Sequence, residues 1–322
     1  MSPSTVSSSC VLLQGKAPSK GSTPPYYGTI TPDPNFSASR DAAALQRAIE
    51  AKGVDESAIT EILARRTNAQ RQQIKAAYEN DTGKDLVKTL KSVLKSHYED
   101  TVVALLMNPA QYDAYELRQA MKGLGTNEKV LNEILGTRSN HEIRLLKTAF
   151  KEAYGAELEH NIKGDTSGHY ETALLALSKQ GTMTGEKKIG TVYSVFIDIL
   201  TSRSEAQLCK IFKQYDKLGT QGFPKALEHE MKGDVEDCLM TLGKCLCCNS
   251  NMVLFECDAL TLQGAWANCN TLTRILVSRS EVDLKKILQE YKRMYGKTLQ
   301  EDINVETKGD YVKILLALCG DH

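Results

Sequence analysis

From Arg40 onward, apolar residues recur at the helical period, and short breaks of Gly, Ser, Thr and Asn separate the runs. The stretch from Ala114 to Met121 is amphipathic and stops at Gly123-Leu124-Gly125. A second run, Glu128 to Leu135, follows Thr126, which is placed as its N-cap. Ser139 is placed to cap a third run, in which Ile143, Leu146 and Phe150 share one face at i, i+3 and i+7. A short helix around Leu158 ends near Gly164, and Tyr170 to Leu177 makes a fifth. β-branched alternation is nearly absent, so the pattern predicts an all-α fold. Helices this short draw their stability mainly from packing, which accounts for the regularity of their apolar faces.

This five-helix unit recurs. The segment Ile62 to Thr67 returns as Ile134 to Ser139, Ile199 to Ser204 and Ile275 to Ser280, each reading Ile-Leu-x-x-Arg-[Ser/Thr]. Each copy runs on to an aromatic residue at the same offset from its Ile: Tyr78, Phe150, Tyr215 and Tyr291. The length alone would suit two domains, but four copies sharing one kind of core predict a repeat array. The expected boundaries are 40–107, 108–180, 181–248 and 249–322, behind a tail at 1–39. That tail is rich in Ser, Thr, Pro and Gly, with Pro24-Pro25 and Pro32-Asp33-Pro34, and is predicted to be flexible.

Composition narrows the function classes. Forty basic and forty acidic residues cancel, so no long-range field would hold the chain on nucleic acid or an anionic membrane. Such attachment would need an added cation or a local patch, and nucleic-acid binding is not expected. No apolar run approaches the roughly 18 residues of a membrane span, and Val11-Leu12-Leu13 is too short for a signal-peptide core. A cytoplasmic protein is therefore expected. The nine cysteines read as reduced structural thiols, and Cys245, Cys247 and Cys248 lack a second paired set at zinc-ligand spacing. No nucleophile–base arrangement or phosphate loop is visible, and His97, His141, His160, His169 and His229 fall in hydrophilic stretches. No enzyme is expected.

The chemistry sits in the loops. In the second repeat, Met121-Lys122-Gly123-Leu124-Gly125-Thr126 is followed, well downstream, by Asp165 within Gly164-Asp165-Thr166-Ser167-Gly168. Calcium takes six to eight oxygens, and a Gly-rich backbone can turn several carbonyls onto one point while a distant carboxylate adds bidentate ligation. From the residues alone the alternative stays open that Gly123 and Gly125 cap a helix C-terminus and Asp165 caps an N-terminus.

Met-Lys-Gly-Leu-Gly-Thr with the later Gly-Asp-Thr-Ser-Gly, inside a four-fold Ile-Leu-x-x-Arg-Ser repeat, resembles the annexin family over residues 40–322. Ser22-Thr23-Pro24-Pro25, Asn35-Phe36 and Lys52-Gly53-Val54-Asp55-Glu56 look most like its annexin I and annexin II branch. The resemblance implies a curved disk of four five-helix repeats that binds acidic phospholipid through Ca2+, peripheral on membranes when calcium rises. The distal acid keeps a constant offset from the repeat Arg, so Arg138 leads to Asp165, Arg203 to Glu230 and Arg279 to Glu306. The same offset from Arg66 lands on Val93, so the first repeat lacks the acid. Repeat 1 keeps Gly53, Val54 and Glu56, and Glu99 beside the Lys91 and Leu94 carbonyls, matching the branch's minor sites. Repeat 2 matches with Met121, Gly123, Gly125, Thr126 and Asp165, apart from Asn127 where the family usually has Asp. Repeat 3 offers Gly190 in Lys187-Lys188-Ile189-Gly190-Thr191, with Glu230. Repeat 4 reads Leu262-Gln263-Gly264-Ala265-Trp266-Ala267, with Trp266 where the second glycine belongs, so its loop is expected to rearrange and leave Glu306 with weak or no calcium.

The copies are unevenly spaced, and the interval from Ile134 to Ile199 is shorter than those from Ile62 to Ile134 and from Ile199 to Ile275. The short interval is explained by the region before Lys187, where Ser178 to Gly185 cannot make the first helix found at Ala42 to Ile49, Tyr115 to Met121 and Met252 to Leu260. Repeat 3 therefore reads as lacking its first helix, through natural loss or a splice form, with an apolar groove expected beside Val195, Ile199 and Leu208. An adaptor role is the competing expectation. In the annexin II branch the tail binds a small dimeric EF-hand protein, and Ser4-Thr5-Val6 and Cys10 echo that tail, although Ser7-Ser8-Ser9 is a poor helix.

Overall fold

A computed structural model describes residues 25–179, 192–202, 205–218, 222–247, 252–266 and 268–320. Among these residues there are helices and no strand, as the periodicity predicts. The first repeat is α1 (Ala38–Glu50), α2 (Glu56–Leu63), α3 (Asn68–Thr82), α4 (Leu86–Val93) and α5 (Ser96–Leu106). The second is α6 (Pro109–Ala120), α7 (Glu128–Thr137), α8 (Asn140–Tyr154), α9 (Leu158–Asp165) and α10 (Gly168–Ser178). The third shows α11 (Val192–Ser202), α12 (Glu205–Leu218), α13 (Gly222–Glu230) and α14 (Asp234–Cys247). The fourth is α15 (Met252–Gly264), α16 (Cys269–Arg279), α17 (Leu284–Tyr295), α18 (Leu299–Glu306) and α19 (Asp310–Cys319). The stretch 180–191, where a first helix of the third repeat would start, lies outside the described residues.

The chain forms two compact units, divided after Leu106 and Leu254, so repeats 1 and 4 share one and repeats 2 and 3 the other. Each has its own apolar core. Leu45, Ile59, Ile74, Leu90, Ile275, Ile287 and Ile314 are buried in the first, and Leu117, Leu131, Ile143, Leu146, Phe150 and Leu174 in the second. Local chemistry sets the helix ends. Thr67, Ser139 and Thr298 each begin a third or fourth helix with a reciprocal capping box, to Gln70, Glu142 and Glu301.

Two polar devices tie the helices of a repeat together. The repeat Arg reaches back to an acid on the first helix. Arg66 pairs with Asp41 at 2.6 Å, Arg138 with both oxygens of Asp113 at 2.7 and 2.9 Å, and Arg279 with Asp258 at 3.3 Å. Burial works against the Arg138 charge, but the Asp113 carboxylate outweighs it and holds the guanidinium more firmly protonated than usual. The second device is a tyrosine on the last helix of the repeat, at a constant offset from that Arg. Tyr98, Tyr170 and Tyr311 each donate to the backbone carbonyl at the start of the second helix, on Glu56, Glu128 and Cys269, at 2.7, 3.3 and 2.9 Å. The same hydroxyls bond Thr60, Asn132 and Thr273 one turn further on. Repeat 3 has Val235 and Ile197 at these positions, both buried and neither with a side chain that can make these hydrogen bonds.

Two expectations need correction. Residues 25–37, read as part of a flexible tail, lie across the unit of repeats 1 and 4. Thr29 and Ile30 donate backbone N–H to the Ser280 carbonyl at 2.7 and 3.2 Å, and Lys285 donates to that of Tyr27 at 3.0 Å. The Thr29 hydroxyl donates to Leu318 at 2.6 Å, and Ile30 is buried. Proline breaks helices without preventing an extended segment from docking through main-chain hydrogen bonds. In the third repeat, Leu208 is buried rather than lining a groove, Ile199 is half-buried, and Phe212 is buried as well. The exposed apolar positions are Val195 at 52%, Ile211 at 36% and Tyr215 at 37%. Their counterparts Val130, Leu146 and Phe150 are buried at 4%, 0% and 0%.

Candidate metal centre

The loop from Met121 to Thr126 joins α6 to α7. Its ends are held by the N–H of Asn127, which donates to Ala120 at 2.8 Å, and by that of Lys122, which donates to Gln119 at 3.2 Å. Between them Gly123 and Gly125 have φ of 104° and 92°, a left-handed conformation that a side chain would strain. A Cβ there would meet nothing within 4 Å, so the glycines are required by backbone conformation rather than by space. Leu124 at the tip is fully exposed. Among the described residues no hydrogen bond falls on the carbonyls of Met121, Gly123 or Gly125, so these oxygens remain available to a ligand.

Asp165 comes to this loop from the end of α9, where it is the last helical residue and exposed. It is not an N-cap. Thr166 follows it, and the Thr166 hydroxyl bonds back to the Ile162 carbonyl at 2.6 Å, closing the final turn. The juxtaposition is fixed by the Thr126 hydroxyl, which donates to the Asp165 carbonyl at 2.9 Å. Thr126 is therefore not the cap of α7. That position is Asn127, whose side chain makes no cap bond. Two helix C-termini, of α6 and α9, thus converge on one spot, each with unpaired carbonyls and the negative end of its dipole. Carbonyl oxygens, one carboxylate and two negative dipole ends suit a hard divalent cation such as calcium.

The equivalent position ends the fourth helix in every repeat: Val93, Asp165, Glu230 and Glu306 close α4, α9, α13 and α18. What differs is the loop opposite. In repeat 1 the closure is the same, with the Asp55 N–H donating to Ala48 at 2.9 Å and Gly53 at φ 76°. Val93 nevertheless supplies no ligand, and the Val54 carbonyl accepts the Glu56 N–H at 3.1 Å. The second group in this repeat lies at the α4–α5 junction, with Lys91 in the last turn of α4, Leu94 capping it and Glu99 in the first turn of α5. Ser96 between them has φ of 60°, the one non-glycine residue with positive φ among the described residues. In repeat 3, Glu230 is exposed, while Gly190 lies outside the described residues.

Repeat 4 breaks the pattern, as its Trp266 predicts. Gly264 is the last helical residue of α15 and does not take positive φ. The N–H of Asn268 donates to nearby Ala265 at 2.7 Å, instead of reaching back across the whole loop as Asn127 and Asp55 do. Ala265 is 3% exposed where Leu124 is fully exposed, and Trp266 packs on the core. Gln263, the counterpart of Lys122, is drawn inward to hydrogen-bond the Tyr291 hydroxyl, whose proton goes to buried Asp302. In this folded-in loop the Leu262 and Ala265 carbonyls accept the N–H groups of Ala265 and Asn268.

The Annexin family model matches residues 40–105, 112–177, 182–242 and 261–318, one segment for each repeat. The chain belongs to the annexin family. Annexin A1 of Rattus norvegicus is 46% identical over 312 residues, covering 90% of this chain and 89% of that protein. Among solved structures, annexin III superposes with a TM-score of 0.84 at 36% identity, over 92% of this chain and 98% of the other. A calcium-bound annexin (Sm)1 gives a TM-score of 0.79 at 29% identity, over 92% and 93%. Annexins as a family are calcium-dependent phospholipid-binding proteins and generally not enzymes. Among the described residues no helix is long and apolar enough to cross a membrane.

The sequence pattern named candidate ligands and missed three features of this annexin. The convergence of two helix ends depends on packing and had no local signal. The partner of the Thr126 hydroxyl had none either. The tyrosine latch did have one, since Tyr98, Tyr170 and Tyr311 share one spacing from the repeat Arg and Val235 breaks it.

Proposed function

We propose that this annexin binds acidic phospholipid membranes in a calcium-dependent manner, with repeat 2 as its principal site. The observation that carries this reading is the contact between the Thr126 hydroxyl and the Asp165 carbonyl, which ties the loop with its unpaired carbonyls to the helix end that bears the carboxylate. In this reading Met121, Gly123 and Gly125 supply carbonyl oxygens and Asp165 bidentate ligation. Lipid phosphate completes the shell. A site with one carboxylate binds calcium weakly in water, toward the roughly 10⁻⁴–10⁻³ M class, so calcium and membrane each raise affinity for the other. Exposed Leu124 at the tip supplies apolar contact with the headgroup boundary, and exposed Lys122 beside it adds attraction to anionic lipid.

The remaining positions are secondary in this proposal. Gly53, Val54 and Glu56, and Lys91, Leu94 and Glu99, act as minor sites. Glu230 is the acid of a third site whose Gly190 lies outside the described residues, and Gly264 with Glu306 contributes least because its loop is folded inward. The protein is cytoplasmic and moves to membranes as calcium rises. The adaptor alternative rests on residues 4–10, outside the described residues. Co-sedimentation with phosphatidylserine vesicles tests the proposal. Asp165→Ala is expected to raise the calcium needed for half-maximal binding more than Glu230→Ala or Glu306→Ala does. Equal losses in all three variants would overturn the ranking, and binding without calcium in every variant would overturn the proposal.

A further inference from the structure

We infer that Thr126 is a positioning residue that assembles the repeat 2 site before calcium arrives; the inference rests on the calcium reading above. Four observations carry it. The Asp165 carbonyl is a helix-terminal oxygen with no partner inside α9, and the Thr126 hydroxyl supplies one at 2.9 Å. This bond joins positions far apart in the chain, so it crosses from the carbonyl loop to the carboxylate-bearing helix end rather than stiffening either alone. The start of α7 has no side-chain cap of its own, because Asn127 makes no such bond. In repeat 1, by contrast, Asp55 accepts the Ala58 N–H at 2.9 Å. Last, repeats 1 and 4 have no hydroxyl at this position, with Val54 and Ala267 there, and those are the repeats in which a loop and a distal acid do not both stand ready.

The physical consequence is preorganisation. Calcium must gather carbonyls from one loop and a carboxylate from the end of a different helix. If the two are already clamped, the cation need not spend its weak affinity on ordering them. With the Thr126 hydroxyl committed to Asp165, that oxygen is not a metal ligand. Its effect on the ion is made through the geometry it holds.

The test uses the full chain as Thr126→Val, which keeps size and β-branching, Thr126→Ser, which keeps the hydroxyl, and Asp165→Ala. Two quantities are read: calcium affinity by calorimetry, and amide exchange of residues 121–128 in the absence of calcium. The expected result is that Thr126→Val lowers calcium affinity about fivefold, the worth of one hydrogen bond, and speeds calcium-free exchange of the loop by a similar factor. Thr126→Ser should restore both. If Thr126→Val changes neither while Asp165→Ala abolishes binding, the inference falls and the calcium site stands. If affinity drops but calcium-free exchange does not change, Thr126 acts only in the bound state and the positioning role is wrong. Calcium binding unaffected by either Thr126→Val or Asp165→Ala would remove the repeat 2 site and the inference together.

Discussion

The third repeat should be the easiest part of its unit to open. In the second repeat, α6 packs on α7 and α8, and Val130, Leu146 and Phe150 on those two helices are buried. The equivalent residues of the third repeat, Val195, Ile211 and Tyr215, are 52%, 36% and 37% exposed. A tyrosine presents about 200 Å², so the exposed third forfeits roughly 2 kcal/mol at about 25 cal/mol per Å². Exposure of about half of a valine and a third of an isoleucine forfeits roughly another 1–2 kcal/mol. The sum of about 3 kcal/mol corresponds to roughly 100-fold in an opening equilibrium. Native-state hydrogen exchange should therefore show amides of residues 207–215 in α12 about 100-fold less protected than those of 142–150 in α8. Truncation should follow the same order, with Leu146→Ala costing about 3 kcal/mol and Ile211→Ala nearer 1. Equal protection of the two helices, or equal costs, would show that the exposed face is covered in solution and that the reasoning is wrong.

Other expectations concern buried groups. Glu281 holds the Asn68 N–H at 2.6 Å and pairs with buried Arg71 at 3.4 Å. Burial lifts its carboxyl above the usual range despite Arg71, so the folded state keeps its proton longer than the unfolded chain, and stability falls as pH rises from the ordinary glutamate value through the raised one. Denaturant titrations from the ordinary glutamate range upward should show that slope reduced in Glu281→Gln, and identical slopes would contradict the assignment. Burial pushes the Cys238 and Cys319 thiols up to about 12, so iodoacetamide at about pH 8 should label them only in denaturant; native labelling at the rate of a free cysteine would refute this. Trp266 packs on the core of its repeat, so its emission should not move when calcium and acidic vesicles are added together. A blue shift would mean that the repeat 4 loop opens onto the membrane.

The parts of this fold legible in the sequence were those fixed by local periodicity. Helical spacing places Ile143, Leu146 and Phe150 on one face, and that face is buried. The counting that puts Asp165, Glu230 and Glu306 at equivalent places also survives, since each ends a fourth helix. Trp266 announced a changed loop because positive φ excludes it. What could not be read depends on partners distant in sequence. Thr126 has the chemistry of an N-cap, and only tertiary packing gives its hydroxyl a better acceptor on Asp165. The Pro-rich segment ahead of α1 has a composition that suggests disorder, yet Thr29 finds Ser280 and Leu318 near the other end of the chain. Leu208 and Phe212 are buried without a described first helix, because α12 also packs on α13 and α14.

The central claim is that repeat 2 holds calcium in a shell that acidic lipid completes. A calcium titration of the full chain with and without phosphatidylserine vesicles tests it most directly, with Asp165→Ala measured alongside. Vesicles should lower the calcium concentration for half-saturation by about tenfold or more, and Asp165→Ala should remove most of that shift while leaving helix content unchanged. The same half-saturation with and without vesicles, or an Asp165→Ala variant indistinguishable from the parent, would contradict the account.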